Sequence, residues 1–233
     1  MKSCFTFFFL VIANWAISQS TVFGPKGGFT AAIQSWDGFQ RNPLFTYHAA
    51  FFIEGYKEES STALFAQFGL HNRGSSERIF FVNGNNANAV RTQFRWSNAA
   101  AIFGAKKRIG SQGASKAYYS FGARVEYTVS TNLDESSQFA GYFPIDEYTN
   151  KFNYGGTFAF GYEFPFSEFV GGLIEASISP DLSFQYQQPG GIGVISPLTG
   201  RGITLREQQI RNITFELSIG FRFLHKVIYL DDY

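Results

Sequence analysis

The chain has 233 residues, with 19 basic and 18 acidic side chains, and a formal net charge of +1 gives no electrostatic reason to expect a nucleic-acid partner. Aromatic residues make up 19% of the chain and 29 of them are phenylalanine, yet the mean hydropathy is only −0.09. So many aromatic side chains at average polarity indicate apolar and polar residues interleaved along β-strands, with one face of the sheet against an apolar environment.

The N-terminal segment has the pattern of a secretory signal peptide. Lys2 supplies a positive charge, residues 5–17 form a mostly apolar run, and Ala16-Ile17-Ser18 has the small-x-small form of a cleavage site. The run is shorter than the ~20 residues that a membrane helix needs, and a buried N-terminal helix is the remaining alternative. We therefore predict that residues 1–18 are a signal peptide.

Removal of that segment would leave residues 19–233 as one domain. Cys4 and Met1 are the only cysteine and methionine of the chain, and both lie in the predicted signal peptide. The mature protein would then contain no thiol, which excludes disulfide bonds and cysteine metal sites.

Eight strand-like segments follow, and none of the mature sequence has a convincing helical pattern. The clearest is 212–223, where every second residue from Ile213 to Phe223 is apolar and the residues between them are polar or small. A strand of this length, tilted by ~45°, crosses about 25 Å, which is the apolar thickness that a membrane barrel presents. The predicted strands are residues 28–36, 47–55, 62–70, 91–104, 117–127, 156–164, 170–186 and 212–223.

The connections between these segments alternate in length. Short connections are predicted at 57–61, 106–114 and 165–167, whereas long ones lie at 72–90, 130–152 and 187–209, with 37–42 also short. A transmembrane barrel has this arrangement, with short periplasmic turns, long outer loops and both termini in the periplasm. No later apolar stretch is long enough for a membrane helix, so a membrane crossing requires a closed barrel. We predict an eight-stranded, antiparallel, up-and-down transmembrane β-barrel in the outer membrane of a Gram-negative cell.

The polar faces of the strands decide which side of the barrel is apolar. They are rich in Gly, Ala and Ser with few charges, which suits the narrow interior of an eight-stranded barrel. A lipocalin-like barrel with a water-facing exterior would carry more Lys, Glu and Asp. The predicted polar network of the lumen comprises Glu54, Arg124, Glu126, Glu163, Glu175, Glu216 and Arg222. Since acids outnumber bases in this set, we expect some carboxylates to meet loop Arg or Lys side chains or to have raised pKa values. The network either plugs the lumen, which we favour, or lines a narrow ion path.

A short motif precedes the first predicted strand. Gly24, Lys26, Gly27 and Gly28, in the sequence Gly24-Pro25-Lys26-Gly27-Gly28, resemble the Gly-x-Lys-Gly opening of the PorT-like outer-membrane β-barrel family. The resemblance implies an integral outer-membrane protein and, for the namesake of the family, a part in type IX protein secretion. The chain departs from the usual barrel ending on a C-terminal Phe, because residues 224–233 follow Phe223 and either extend the last strand or form a periplasmic tail.

Catalytic chemistry has few candidates. The three histidines, His48, His71 and His225, are scattered and have no metal-ligand spacing. His71 lies near the outer end of the third predicted strand, with Ser75, Ser76 and Glu77 nearby in sequence. It is the one histidine placed as a lipid-modifying enzyme requires, but we expect a rim histidine in a polar loop there. His48 should be a hydrogen-bonded filler of the lumen. Residues 106–108, Lys-Lys-Arg, should form a solvated turn, with contact to acidic lipid head groups on the inner side as the alternative. We expect no catalytic residue, cofactor or metal ion.

Three functions remain open at this stage: a structural anchor or accessory subunit of an outer-membrane assembly, a narrow pore, and a lipid-modifying enzyme, in decreasing order of support. The expected partners are outer-membrane lipid, lipopolysaccharide and other proteins of the assembly. Two outer loops are apolar enough to contact a protein partner or to pack over the barrel mouth. The candidate contact residues are Phe139, Tyr142, Phe143, Ile192, Ile195 and Leu198.

Overall fold

Long antiparallel strands account for most of the computed structural model, which describes residues 20–36, 41–55, 57, 60–83, 86–110, 115–135, 143–196 and 200–226, with backbone alone at 79–83 and 86–90. The predicted signal peptide lies outside the described residues. The long strands are β1 (Thr21–Ser35), β2 (Asn42–Gly55), β3 (Thr62–Asn83), β4 (Asn86–Ile109), β5 (Lys116–Thr131), β6 (Phe152–Pro165), β7 (Val170–Pro180) and β11 (Gln208–His225).

These eight strands form a closed ring within the described part of the chain. Each pairs antiparallel with its sequence neighbour, and β1 pairs with β11 from Thr21↔His225 to Ser35↔Arg211, which joins the first and last strands. The predicted eight-stranded up-and-down barrel is confirmed. Three short strands, β8 (Tyr186–Gln188), β9 (Gly193–Ile195) and β10 (Gly202–Thr204), lie between β7 and β11. Among the described residues no helix is long and apolar enough to cross a membrane.

Side chains alternate between the interior and the exterior of the barrel. On β11, Phe215, Leu217 and Ile219 are exposed, whereas Thr214 and Glu216 are buried. The other strands present exposed Phe, Tyr, Leu and Ile side chains in the same way, including Phe51, Phe68, Phe121, Phe158 and Ile174. The apolar surface of this protein is therefore the outer wall of the barrel, where a water-soluble protein would carry charge.

The two ends of the barrel differ. One end carries Ser20, Lys226 and three short turns, which follow β2, β4 and β6. The other end carries the longer connections between β5 and β6 and between β7 and β11. The pairing of β3 with β4 also projects from it, because the register continues to Asn83↔Asn86, whereas β2 pairs with β3 only as far as Ser76. This paired projection of about 20 Å is called the β3–β4 hairpin below.

The hairpin corrects the predicted long loop at 72–90. Beyond Leu70 the outward positions of β3 are Asn72, Gly74 and Ser76, so the apolar half of the alternation disappears although the strand continues. Past this point the strand lies beyond the band of apolar side chains on the outer wall, which is called the apolar belt below. Its outward side chains therefore need not be apolar. Other predicted strand ends also differ. β1 begins at Thr21 rather than residue 28, β2 begins at Asn42 rather than residue 47, β4 ends at Ile109 rather than residue 104, and β7 ends at Pro180 rather than residue 186.

An apolar cluster closes the interior at the loop end. Its buried members are Trp36, Phe94, Trp96, Leu133, Phe143, Tyr186, Leu205 and Ile210, and Tyr148 and Val194 pack against it. A smaller apolar cluster of Val22, Phe52 and Leu173, with Leu224 against it, lies near the turn end. The cluster at the loop end is called the apolar cap below, and together with the polar lumen it leaves the interior of the barrel solid.

Candidate functional site

Buried charges fill the lumen below the apolar cap. Within the described residues, six bases and six acids line it, so its formal charge is zero when the histidines are neutral. The bases are Lys26, Arg73, Lys106, Arg108, Arg124 and Arg222, and the acids are Glu54, Glu126, Glu163, Glu175, Asp181 and Glu216. Buried charges persist only when opposite charges and hydrogen bonds satisfy them, and this set is arranged in layers that do so.

The layer nearest the turn end is a four-membered ion cluster. Lys106 Nζ lies 2.9 Å from Glu54 Oε2, and Arg108 Nε lies 3.1 Å from Glu163 Oε2. Lys106 also pairs with Glu163 and Arg108 with Glu54, so each base bridges both acids. Arg222 lies 3.9 Å from Glu163 at the edge of the cluster. The cluster ties β2, β4 and β6 together across the barrel.

The next layer joins β1, β5 and β7 through Glu175. Lys26 Nζ donates to Glu175 Oε1 at 2.5 Å, and the Tyr118 hydroxyl donates to Glu175 Oε2 at 2.8 Å. The ammonium of Lys106 lies 4.0 Å from the centre of the Tyr118 ring, a cation–π contact between the two layers. A cavity of about 30 Å³ lies among these side chains. That volume holds a water molecule but not a continuous channel.

The middle layer is a pair of stacked histidines. The rings of His48 and His71 are 5.4 Å apart and nearly parallel, at 3°. His71 Nδ1 lies 2.6 Å from Glu216 Oε1. His48 Nδ1 lies 2.9 Å from the Thr30 hydroxyl and His48 Nε2 lies 2.8 Å from the Ser218 hydroxyl. His71 is buried in the barrel, which corrects the expectation of a rim histidine in a polar loop; His48 is the hydrogen-bonded filler that was predicted.

The layer below the apolar cap is held by two arginines. Arg73 Nε donates to Glu126 Oε2 at 2.7 Å, and Arg124 Nε lies 2.9 Å from Glu126 Oε1. Arg124 also pairs with Asp181, whose Oδ2 accepts from the Asn212 amide at 2.7 Å. The layer connects β3, β5 and β11 with Asp181, the residue that follows β7, and it is buried beneath the apolar cap.

The structure places all seven residues of the predicted polar network in this interior, although Arg222 lies at its margin with 18% of its side chain exposed. Four bases of the lumen are not among the predicted residues of the polar network. The sequence predicts a loop at Arg73 and a solvated turn at Lys106 and Arg108, and it assigns no contact to Lys26. These bases are the partners that the excess of acids required.

A signal for three of the missed bases was present in the sequence. Arg73 continues the inward register of Gln67 and His71, and Lys106 and Arg108 continue the inward register of Ile102 on β4. Extending the period of two beyond the apolar residues would have found them.

The glycine-rich motif lies inside β1 rather than before it. A Cβ atom at Gly24 would lie 1.9 Å from the carbonyl oxygen of Phe221, and one at Gly28 would lie 1.9 Å from that of Leu217. Glycine at these positions lets β1 approach β11 closely at the seam of the barrel. Lys26 between them points inward to Glu175. The motif therefore has a structural reason, independent of any family.

The Ser218–His48 hydrogen bond is of a kind that activates nucleophiles, but its surroundings do not suit catalysis. Ser218 is 2% exposed, and the Nδ1 atom of His48 lies 4.0 Å from Glu216 and closer to Thr30. A substrate would have to pass the ion clusters or the apolar cap to reach Ser218. Within the described residues no group of three or more His, Cys, Asp or Glu side chains is placed to hold a metal ion.

The candidate partner-contact residues have different environments. Phe143 is 2% exposed, with its ring 5.2 Å from that of Phe94, so it is part of the apolar cap and not of a contact surface. Ile195, in contrast, is 70% exposed on the short β9–β10 hairpin, and Ile192, which precedes β9, is partly buried. Phe139, Tyr142 and Leu198 lie outside the described residues.

Comparison with solved structures finds similar barrels at low sequence identity. The outer membrane protein OprG from Pseudomonas aeruginosa is 9% identical, with 88% of this chain and 97% of that chain covered at a TM-score of 0.47. Neisserial surface protein A is 12% identical, with 88% and 96% covered at a TM-score of 0.49. The Escherichia coli outer membrane protein W is 11% identical, with 88% and 99% covered at a TM-score of 0.38.

Neither a protein-family model nor a curated protein sequence matches this chain. The resemblance to the PorT-like family thus stays a prediction. The fold of the chain rests on its own strand pairing and on the facing of its side chains.

Proposed function

We propose that this chain is an integral outer-membrane protein that acts as a membrane-embedded anchor or accessory subunit of an outer-membrane assembly. The observation that carries the proposal is the combination of an apolar outer wall with a lumen filled by ion pairs. The wall suits lipid, and the filled lumen suits neither transport nor catalysis. The PorT-like opening motif favours protein secretion as the process that the assembly serves.

The height of the apolar belt supports membrane insertion. On the outward face of β4, Lys107 and Arg95 are exposed, and the positions between them are Ala105, Phe103, Ala101, Ala99 and Ser97. Twelve residues of strand tilted by ~45° span about 28 Å, close to the apolar thickness of an outer-membrane barrel. With the short turns and termini toward the periplasm, the β3–β4 hairpin and the β9–β10 hairpin would extend outside the cell.

A pore is the second function considered, and the lumen argues against it. Every layer from the ion cluster of Lys106 to the apolar cap is packed, and eight strands leave no room for a water-filled channel beside these side chains. Purified protein in planar bilayers should therefore show no stable conductance, while a heat-modifiable gel shift on the same preparation reports that the barrel is folded. Reproducible single-channel steps would favour the pore instead.

The accessory role requires a protein contact at the loop end. A photo-crosslinking side chain at Ile195, 70% exposed on the β9–β10 hairpin, should form adducts with a protein in intact membranes. The matched control is Leu64, which is 75% exposed but lies on the outer wall of β3 and should give lipid adducts alone. Equal results at the two positions would remove the support for an interaction surface on this hairpin.

A further inference from the structure

A row of exposed arginines lies on the outer face of the β3–β4 hairpin. Arg91 and Arg95 point outward on β4 with Gln93 between them, and Arg78 is exposed on β3. The strand register places Arg78 directly opposite Arg91 and Gly74 opposite Arg95. Arg78, Arg91 and Arg95 are called the arginine row below.

The arginine row places three positive charges close to one another. Side chains of directly opposite residues in an antiparallel pair have Cβ atoms about 5 Å apart, and like charges there destabilise the pair. Arg91 donates to neutral acceptors, the Ser76 hydroxyl at 3.0 Å and the Pro43 carbonyl at 3.4 Å. The nearest acid in the sequence, Glu77, faces the other way and pairs with Arg41. Among the described residues no carboxylate forms an ion pair with the row.

The position of the row relative to the belt indicates what would neutralise it. Lys107 and Arg95 are the charged outward residues of β4 at the two ends of its apolar stretch, and Arg95 lies at the loop end. Side chains at the level of Arg95 would lie among the lipid head groups of the outer leaflet. Arg91 lies about 13 Å further along the strand, still within reach of a large head group. Guanidinium groups bind phosphate in a bidentate way that few other side chains match.

We propose that the arginine row binds the phosphate groups of a phosphorylated glycolipid head group in the outer leaflet. This inference rests on the proposed membrane insertion and orientation, and it adds a lipid site to them. A phosphate between Arg78 and Arg91 turns the repulsion between these residues into attraction to a common anion. The lipid chains would lie against the apolar wall below, beside Ala99 and Ala101.

The test uses the full mature chain, folded in non-ionic detergent and titrated with fluorescent diphosphoryl lipid A. The matched ligand is the same lipid without its phosphates. Wild-type protein should bind the phosphorylated lipid at least about tenfold more tightly, and Arg78→Gln or Arg95→Gln should each weaken that binding about fivefold. Lys107→Gln, at the other end of the belt on the same strand, should leave the affinity unchanged.

A second variant separates charge from folding. Arg78→Glu places an acid opposite Arg91, so it should make the β3–β4 pairing more favourable and still weaken binding of the phosphorylated lipid by more than tenfold. Equal affinity for the two lipids, or an equal effect of Lys107→Gln, would overturn the proposal. So would displacement of the lipid by inorganic phosphate at equal concentration, because the row would then be a site for a soluble anion.

The gel shift of the folded barrel and its insertion into vesicles of neutral lipid are measured on the same variants. A barrel that fails to insert contradicts the proposed function. A barrel that inserts and shows no preference for phosphate contradicts the lipid site alone.

Discussion

Each charged residue in the lumen depends on a partner from a distant part of the sequence. Arg73 and Glu126 are 53 residues apart, and Lys26 and Glu175 are 149 apart, yet both pairs are buried and hydrogen-bonded. Burial removes the solvation of both charges, and the attraction between them offsets that cost only while both remain. The lumen should therefore tolerate the loss of a whole pair better than the loss of one member.

A double-mutant cycle on Arg73 and Glu126 measures this. Glu126→Leu removes the carboxylate that pairs with Arg73 and leaves Arg124 with Asp181, and we expect it to lower the free energy of unfolding by about 3–5 kcal/mol. Adding Arg73→Met should restore a large part of that loss. Urea unfolding of the barrel in lipid vesicles gives the energies. Costs that simply add would mean that the two side chains do not act as a pair.

The second prediction concerns Gly28, where β1 closely approaches β11 at the seam of the barrel. Gly28→Ala puts a methyl group where only 1.9 Å separates it from the Leu217 carbonyl oxygen, so β1 must move away from β11. We expect slower folding into vesicles and a loss of stability of about 1–3 kcal/mol. Gly156→Ala, whose new Cβ would have its nearest neighbour at 4.0 Å, is the control and should change little. Equal effects would assign the cost to loss of glycine rather than to the seam.

Along each strand, the apolar alternation shows which residues lie within the membrane and does not show where the strand ends. Within the belt it located all eight strands, because lipid on one side and a narrow lumen on the other fix both faces. Beyond the belt the outward face has no apolar requirement, so the sequence pattern predicts a loop where the β3–β4 hairpin lies. Arg78 lies in that stretch, whereas Arg91 and Arg95 lie in the predicted strand 91–104. Their proximity to Arg78 follows only from the strand register.

Residues of the lumen could be predicted where they lie on strands that the sequence pattern predicts. Glu126, Glu163 and Glu216 were assigned to the lumen because they alternate with lipid-facing residues on clear strands. Lys106 was missed because residues 106–108 read as a charged turn, although β4 continues to Ile109. Pairing between strands that are distant in sequence, such as Arg73 with Glu126, needs the register, which a single sequence does not supply.

The outward face of β11 tests the depth of the membrane. Leu217 lies near the middle of the outward positions from Ile213 to Phe223 and is 54% exposed, so Leu217→Arg should cost about 2–4 kcal/mol of folding free energy. Phe223→Arg, at the turn end of the same face, should cost about 0–1 kcal/mol. Unfolding in vesicles of known thickness gives both values. Similar costs at the two positions would mean that the belt is not centred on Leu217.

The whole molecule is asymmetric along its axis. An even number of strands brings both described ends of the chain to the side with short turns, and the other side carries the apolar cap, the β3–β4 hairpin and the β9–β10 hairpin. The cap seals the lumen where the barrel extends past its apolar belt. A barrel built this way gives a rigid base to the structures at its loop end, as an anchor requires.

The orientation of that axis is the prediction on which the proposed function depends. Ile195 is exposed at the loop end and Ser167 at the turn end, so Ile195→Cys and Ser167→Cys report the two sides of the membrane. The sole native cysteine, Cys4, lies in the predicted signal peptide, and wild-type protein should remain unlabelled. Because the long connections should face outward, an impermeant maleimide on intact cells should label Ile195→Cys and not Ser167→Cys. Permeabilising the outer membrane should make both react. Labelling of Ser167→Cys alone in intact cells would invert the barrel, and the arginine row would then face the periplasmic leaflet instead of the outer one.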